Sequence, residues 1–84
     1  MNAITDIQAE RIVERVKRDL TEWKTTDESK AEYLLKQRKD MDKAMRAFRK
    51  NPNSRNWGAL EVNMLYFQQT DQMIRRIKRE TLCS

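Results

Sequence analysis

Residues 41–67 read MDKAMRAFRKNPNSRNWGALEVNMLYF, and this stretch decides the architecture. Before its middle, Met41, Met45 and Phe48 recur at helical spacing; after it, Trp57, Leu60, Met64 and Phe67 do the same. Between them stands Asn51-Pro52-Asn53-Ser54. Pro52 lacks a backbone donor and asparagine accepts turn dihedrals, so one helix ends here and another begins. Folding back about this break as an antiparallel hairpin sets Phe48 against Trp57, Met45 against Leu60 and Met41 against Met64. The stripe continues outward both ways. Ala31 and Leu34 extend it upstream with Arg38 in the missing slot, and Ile74 extends it downstream with Asp71 in the missing slot. Side chains lean toward the N-terminus of their own helix, so on antiparallel helices Arg38 and Asp71 lean toward each other. They are expected to pair and fix the hairpin register; the alternative is two independent, solvated seam residues. Breaking one side of a buried pair costs about 3–5 kcal/mol.

Upstream, Ala9, Val13, Val16, Leu20 and Trp23 step by 4-3-4-3 and predict another helix. A second polar break, Thr25-Thr26-Asp27-Glu28-Ser29, separates it from the hairpin. Thr5 with Gln8, Thr25 with Glu28, and Ser29 with Glu32 each fit a capping box, and Ser54 fits an N-cap. Helices are therefore expected at about 5–24, 28–50 and 54–82 of one small domain spanning residues 1–84. The last helix carries a second apolar face, Val62, Leu65, Tyr66, Met73 and Ile77, so it has two neighbours. The fold class is all-α: a long antiparallel hairpin plus an N-terminal helix. That helix either closes a three-helix bundle within the chain or exchanges into a homodimer.

Composition agrees and narrows the chemistry. The chain has 84 residues, 38% hydrophobic and 37% charged, with one Gly and one Pro. That is too apolar for disorder and too poor in turn formers for a many-stranded sheet. No apolar run approaches the roughly 20 residues of a membrane span, and the first residues show no secretory signal, so a cytoplasmic protein without membrane contact is expected. With no His and Cys83 as the sole cysteine, a Cys/His zinc site and an internal disulfide are excluded. Gly58 alone cannot make a phosphate loop. Asp6, Glu10 and Glu14 share a helix face but read as a solvated acidic surface. Cys83 has no imidazole to activate it. No catalytic residue, metal or cofactor is expected.

The cations carry more information. Residues 29–52 hold eight Lys/Arg against three Asp/Glu, whereas residues 1–28 hold five against seven, so the net charge of +5 concentrates on the second helix. There Lys36, Lys39, Lys43, Arg46 and Lys50 step by 3-4-3-4 along the face opposite the seam. The 14 residue steps from Lys36 to Lys50 span about 21 Å, matching either a phosphate backbone or an acidic protein surface. A solvated face is the bland alternative, with Glu32–Lys36, Asp42–Arg46 and Asp40–Lys43 pairing along the helix. A second cluster, Arg75, Arg76, Lys78 and Arg79, complements the helix dipole or extends the cationic surface. Trp23, Phe48, Trp57 and Phe67 fall on seams and read as core rather than stacking platforms. Tyr33 and Tyr66 sit beside the seams, placed to anchor an interface. Met41, Met45 and Met64 on the seam read either as pliable packing or as an adaptable partner groove. Long regular helices disfavour a helix-turn-helix reader, and cations running beside the seam disfavour a basic zipper.

The sequence thus points to a non-enzymatic interaction module, an adaptor or inhibitor, docking on an acidic protein partner. The alternative is sequence-independent nucleic-acid backbone binding through Lys36 to Lys50. Small size and high charge would suit an accessory factor of a phage or mobile element.

Overall fold

The computed structural model describes residues 4–83; the Cys83 thiol lies outside the described residues. Helix α1 spans Asp6–Arg18, a π-helical turn follows over Asp19–Trp23, α2 spans Asp27–Lys50 and α3 spans Ser54–Cys83. Each start is chemically marked. Thr5 and Gln8 form the expected capping box, the Gln8 N–H donating to Thr5 Oγ1 at 3.2 Å and the Thr5 N–H to Gln8 Oε1 at 3.1 Å. At α2 the box is Thr26 with Ser29, at 3.0 and 3.1 Å, not Thr25 with Glu28 or Ser29 with Glu32. Because the helix begins at Asp27, Thr26 is the last extended residue and Ser29 the third helical one. At α3, Asn53 rather than Ser54 caps: its Oδ1 accepts from the Asn56 N–H at 2.8 Å, and Ser54 is already helical.

The hairpin closes about this cap. The Asn56 side chain donates to the carbonyls of Asn51 at 2.8 Å and Ala47 at 3.3 Å, tying the first turn of α3 to the last turn of α2. Just beyond, Phe48 and Trp57 meet with ring centroids 5.4 Å apart at an interplanar angle of 56°, a tilted arrangement favoured by aromatic quadrupoles. The antiparallel pairing of α2 and α3 is therefore formed as expected. The Arg38–Asp71 pair is not. Asp71 instead takes Arg75, one turn along its own helix, at 3.1 Å, and Arg38 is exposed. The local i, i+4 partner needs no reach across the seam.

Helix α3 is the common partner. It packs against α2 on one side and against α1 on the other, as its two apolar faces demand. The backbone N–H of Ile4 donates to Glu61 Oε2 at 3.3 Å, and Val62, Leu65, Tyr66, Met73 and Ile77 line α1. Helix α1 therefore runs parallel to α3, and the short Lys24–Thr26 turn sends α2 back antiparallel. The result is an up-down-up arrangement of three helices within one chain.

The deepest burial lies where α1 meets α3, at Ile12, Val16 and Leu20, not along the α2–α3 seam. On that seam only Leu60 is buried; Leu34, Met41, Met45, Phe48, Trp57, Phe67 and Ile74 are half-covered, Met64 is exposed and Ala31 is exposed. Tyr33 and Tyr66 are partly buried and pack on the α1 core.

The stripe expected on α1 is also displaced. Ile12 replaces Val13 at its centre, and Trp23 is 72% exposed. For Trp23 the cause is the π turn. The Thr21 hydroxyl donates to the Lys17 carbonyl at 2.8 Å, competing for the acceptor of the helical ladder. The chain widens until the Lys24 N–H bonds Asp19 O, five residues back, at 2.6 Å. That extra residue rotates Trp23 off the stripe.

Candidate interaction surface

The whole α2 row, Lys36, Lys39, Lys43, Arg46 and Lys50, is exposed. Its spacing keeps the five side chains on one outward face, held rigid because the opposite face of α2 is fixed to α3. Among the described residues the ion pairs are Arg75–Asp71 at 3.1 Å and Arg76–Glu80 at 3.2 Å, both within α3. Among the described residues none of the five row cations has a carboxylate within ion-pair distance, and the pairs Glu32–Lys36, Asp42–Arg46 and Asp40–Lys43 are not formed. Asp40 is half-buried and borders a shallow surface cleft with Lys43 without pairing with it. The row cations are thus free of direct ion pairs, although Glu32, Asp40 and Asp42 remain close enough to offset part of their field.

The C-terminal cluster is divided. Arg75 and Arg76 are tied to carboxylates one turn away, Arg79 is exposed, and Lys78 borders a cleft at the open end of the hairpin. This end lies opposite the Asn51–Ser54 loop, so the cluster sits beyond the Lys36 end of the row rather than beside it. Cations extend along the rod without forming one compact patch. Beside the row, Leu35 is 52% exposed; it stands one turn before Lys39 on the same flank. Across the hairpin Met64 is 45% exposed.

One cation escaped the sequence argument. Lys30 is only 7% exposed, and its ammonium donates to the Thr25 carbonyl at 2.7 Å. The signal was present: Lys30 stands four residues before Leu34 and three before Tyr33, on the inward side of α2. Thr70, fully buried, satisfies its hydroxyl on the Tyr66 carbonyl at 2.7 Å.

A polar latch holds the π turn to α2. The Tyr33 hydroxyl donates to Asp19 Oδ2 at 2.9 Å. Burial, then the hydrogen bond to Asp19 and its negative charge, push the Tyr33 pKa up to about 12; Gln37 opposes weakly.

Asp6, Glu10 and Glu14 are all exposed, and among the described residues no three His, Cys, Asp or Glu side chains converge as a metal-ligand group. Among the same residues no helix is long and apolar enough to cross a membrane. No protein-family model, no curated protein and no solved structure matches the chain.

Proposed function

We propose that the chain is a non-enzymatic interaction module of the cytoplasm that docks on an acidic protein partner through the outward face of α2 and the apolar side chains flanking it. The observation that carries this reading is the juxtaposition of a row free of direct ion pairs among the described residues, Lys36 to Lys50, with exposed Leu35 on its flank. A row of cations steers an acidic partner to the surface; apolar anchors beside it hold the partner once water is excluded. A phosphate backbone has no use for the apolar flank.

The shape supports the same reading. The accessible surface is 6703 Å², against roughly 5,300 Å² for a folded monomer of this mass by area scaling. The Cα radius of gyration is 14.1 Å, against about 12 Å for a compact domain of this length. The excess surface, about 1,400 Å², exceeds the roughly 800 Å² per partner of a standard interface. A second copy of the chain is a weaker candidate for covering it, because each copy brings a net charge of +5.

Nucleic-acid backbone binding is the second reading, favoured by the regular spacing of five unpaired cations. One set of variants separates the two. Capture from nuclease-treated lysate should retain a defined acidic protein on the native chain and lose it with Leu35→Ser and with Lys39→Gln/Lys43→Gln. Titration against duplex and single-stranded DNA or RNA at two salt concentrations tests the second reading. Five phosphate contacts predict a log–log salt slope near −4.5 on duplex DNA, falling by about 2 in the double variant. Binding with that slope and indifference to Leu35→Ser would overturn the protein-partner reading.

A further inference from the structure

At the open end of the hairpin, the first turns of α2 and the last turns of α3 enclose a cleft of about 450 Å³, within the usual small-ligand range of about 300–1,000 Å³. Its walls are mostly aliphatic, Ala31 and Leu34 from α2 and Ile74, Ile77 and Leu82 from α3, with Thr81 beside them, its hydroxyl donated to the Ile77 carbonyl. Lys30 also lines it. We infer that this cleft binds an aliphatic carboxylate, its hydrocarbon chain against Leu34, Ile74 and Ile77 and its carboxylate on the Lys30 ammonium.

Three observations carry the inference, none of which uses the α2 cationic row. The first is the state of Lys30. An ammonium has three N–H donors; the Thr25 carbonyl accepts one, and among the described residues no carboxylate lies within ion-pair distance. A buried charge held by a single neutral acceptor is poorly compensated and favours an anion that completes its shell. The second is the charge of the rim. Lys78 from α3 and Asp27 from α2 border the cleft, so with Lys30 the site carries two cations against one carboxylate. It selects an anionic head over a cationic or zwitterionic one.

The third is the absence of backbone partners in the walls. Between its ends the cleft is walled by Leu34, Ile74 and Ile77, which lie inside α2 and α3 and whose N–H and C=O groups are consumed by their own ladders. A peptide entering the cleft would bury its own N–H and C=O groups unanswered, which is costly. A hydrocarbon chain brings none. With no aromatic residue in the lining, a flat ring has nothing to stack on, whereas a flexible chain fills an irregular aliphatic cleft.

The test is calorimetric titration of the full chain with octanoate, decanoate and dodecanoate below their micelle concentrations, with dodecanol and phosphatidylcholine vesicles as comparison arms. One site per chain is expected, with affinity rising about fourfold per added methylene as each buries its surface. Dodecanoate should bind on the order of tenfold more tightly than dodecanol, and vesicles without free fatty acid should not bind. Lys30→Met keeps the volume of the side chain and should erase the preference for the carboxylate. Ala31→Trp, at an exposed lip, should block both ligands, with circular dichroism confirming that the helices remain. Lys39→Gln/Lys43→Gln should leave dodecanoate binding unchanged, which separates this site from the docking surface proposed above. No saturable binding, several ligands per chain, equal affinity for dodecanol, or indifference to Ala31→Trp would each overturn the assignment.

Discussion

The contrast between Leu60 and Met64 offers the sharpest check on the architecture. The two stand one turn apart on the same stripe of α3, and a closed seam would bury them alike. In the structure Leu60 is 5% exposed and Met64 45% exposed. Leu60→Ala removes three buried carbons, about 2.4 kcal/mol of transfer free energy at about 0.8 kcal/mol each. The cavity left between α2 and α3 raises the cost to about 3–4 kcal/mol. Met64→Ala removes a side chain already half in water and leaves no closed cavity, so the cost is about 1 kcal/mol. In urea, with a slope of about 1 kcal/mol/M for so small a chain, the midpoints should fall by about 3 M and about 1 M. A chain of this length has a total stability of roughly 4–13 kcal/mol, so Leu60→Ala removes a large share of it. Equal losses for the two variants would mean that the α2–α3 seam is closed throughout. The half-open face on which Met64 sits would then be wrong, and with it the excess surface assigned to a partner.

Three further outcomes follow from particular contacts. Arg38→Met should change the melting temperature by no more than a few degrees, because Asp71 is held by Arg75; a loss of about 3 kcal/mol would restore the cross-seam pair. Tyr33 should titrate at about 12, and since its folded pKa is raised above the ordinary tyrosine value of 10.0, the stability it contributes is fully present below pH 10 and is lost as pH rises through 12. Tyr33→Phe should remove that alkaline loss, read by thermal melts between pH 9 and 12. In the Trp57→Phe variant the remaining Trp23 fluorescence should be red-shifted and fully quenched by iodide; a shielded Trp23 would refute the π turn that exposes it.

What the sequence made legible was whatever local chemistry decides. The break at Asn51–Ser54, the antiparallel return and the Phe48–Trp57 contact followed from Pro52 and from residue spacing alone. The two apolar faces of α3 likewise required two neighbours. What escaped was set by competition between local and distant partners. Arg38 and Asp71 were matched by register, yet Asp71 finds Arg75 four residues away without crossing the seam. The caps shifted by one residue at α2 because threonines at 25 and 26 are chemically equivalent, and only the start of the helix chooses between them. Trp23 left its stripe because one hydroxyl, that of Thr21, widened a single turn, an event invisible to a fixed period of 3.6. For the cationic row, the residues and their outward direction were legible, but their lack of partners was not, since spacing only permits the pairs Glu32–Lys36 and Asp42–Arg46. Lys30 was hidden among the other cations of α2 although its position on the inward side marked it.

The placement of α1 links these findings. By packing on α3 rather than across both later helices, α1 gathers the small core on one side of the hairpin and leaves the other side half-covered. Ile12, Val16 and Leu20 anchor that core, and Leu60 is the other buried apolar residue among those described. A chain with so few fully buried side chains gains little from its own interior, so any ligand that binds the folded form alone has leverage over its stability. At a hundredfold excess over the dissociation constant, such a ligand adds about 2.7 kcal/mol. For a domain of this size that is roughly 10–20 °C in melting temperature. The site of the stabilising contact can then be located by variant: Lys39→Gln/Lys43→Gln should abolish a shift produced by the acidic partner, and Ala31→Trp one produced by dodecanoate. A partner on the outward face of α2 and a carboxylate in the cleft would each raise the melting temperature, and because Leu35 adjoins the cleft residue Leu34, a departure from additivity would measure their coupling.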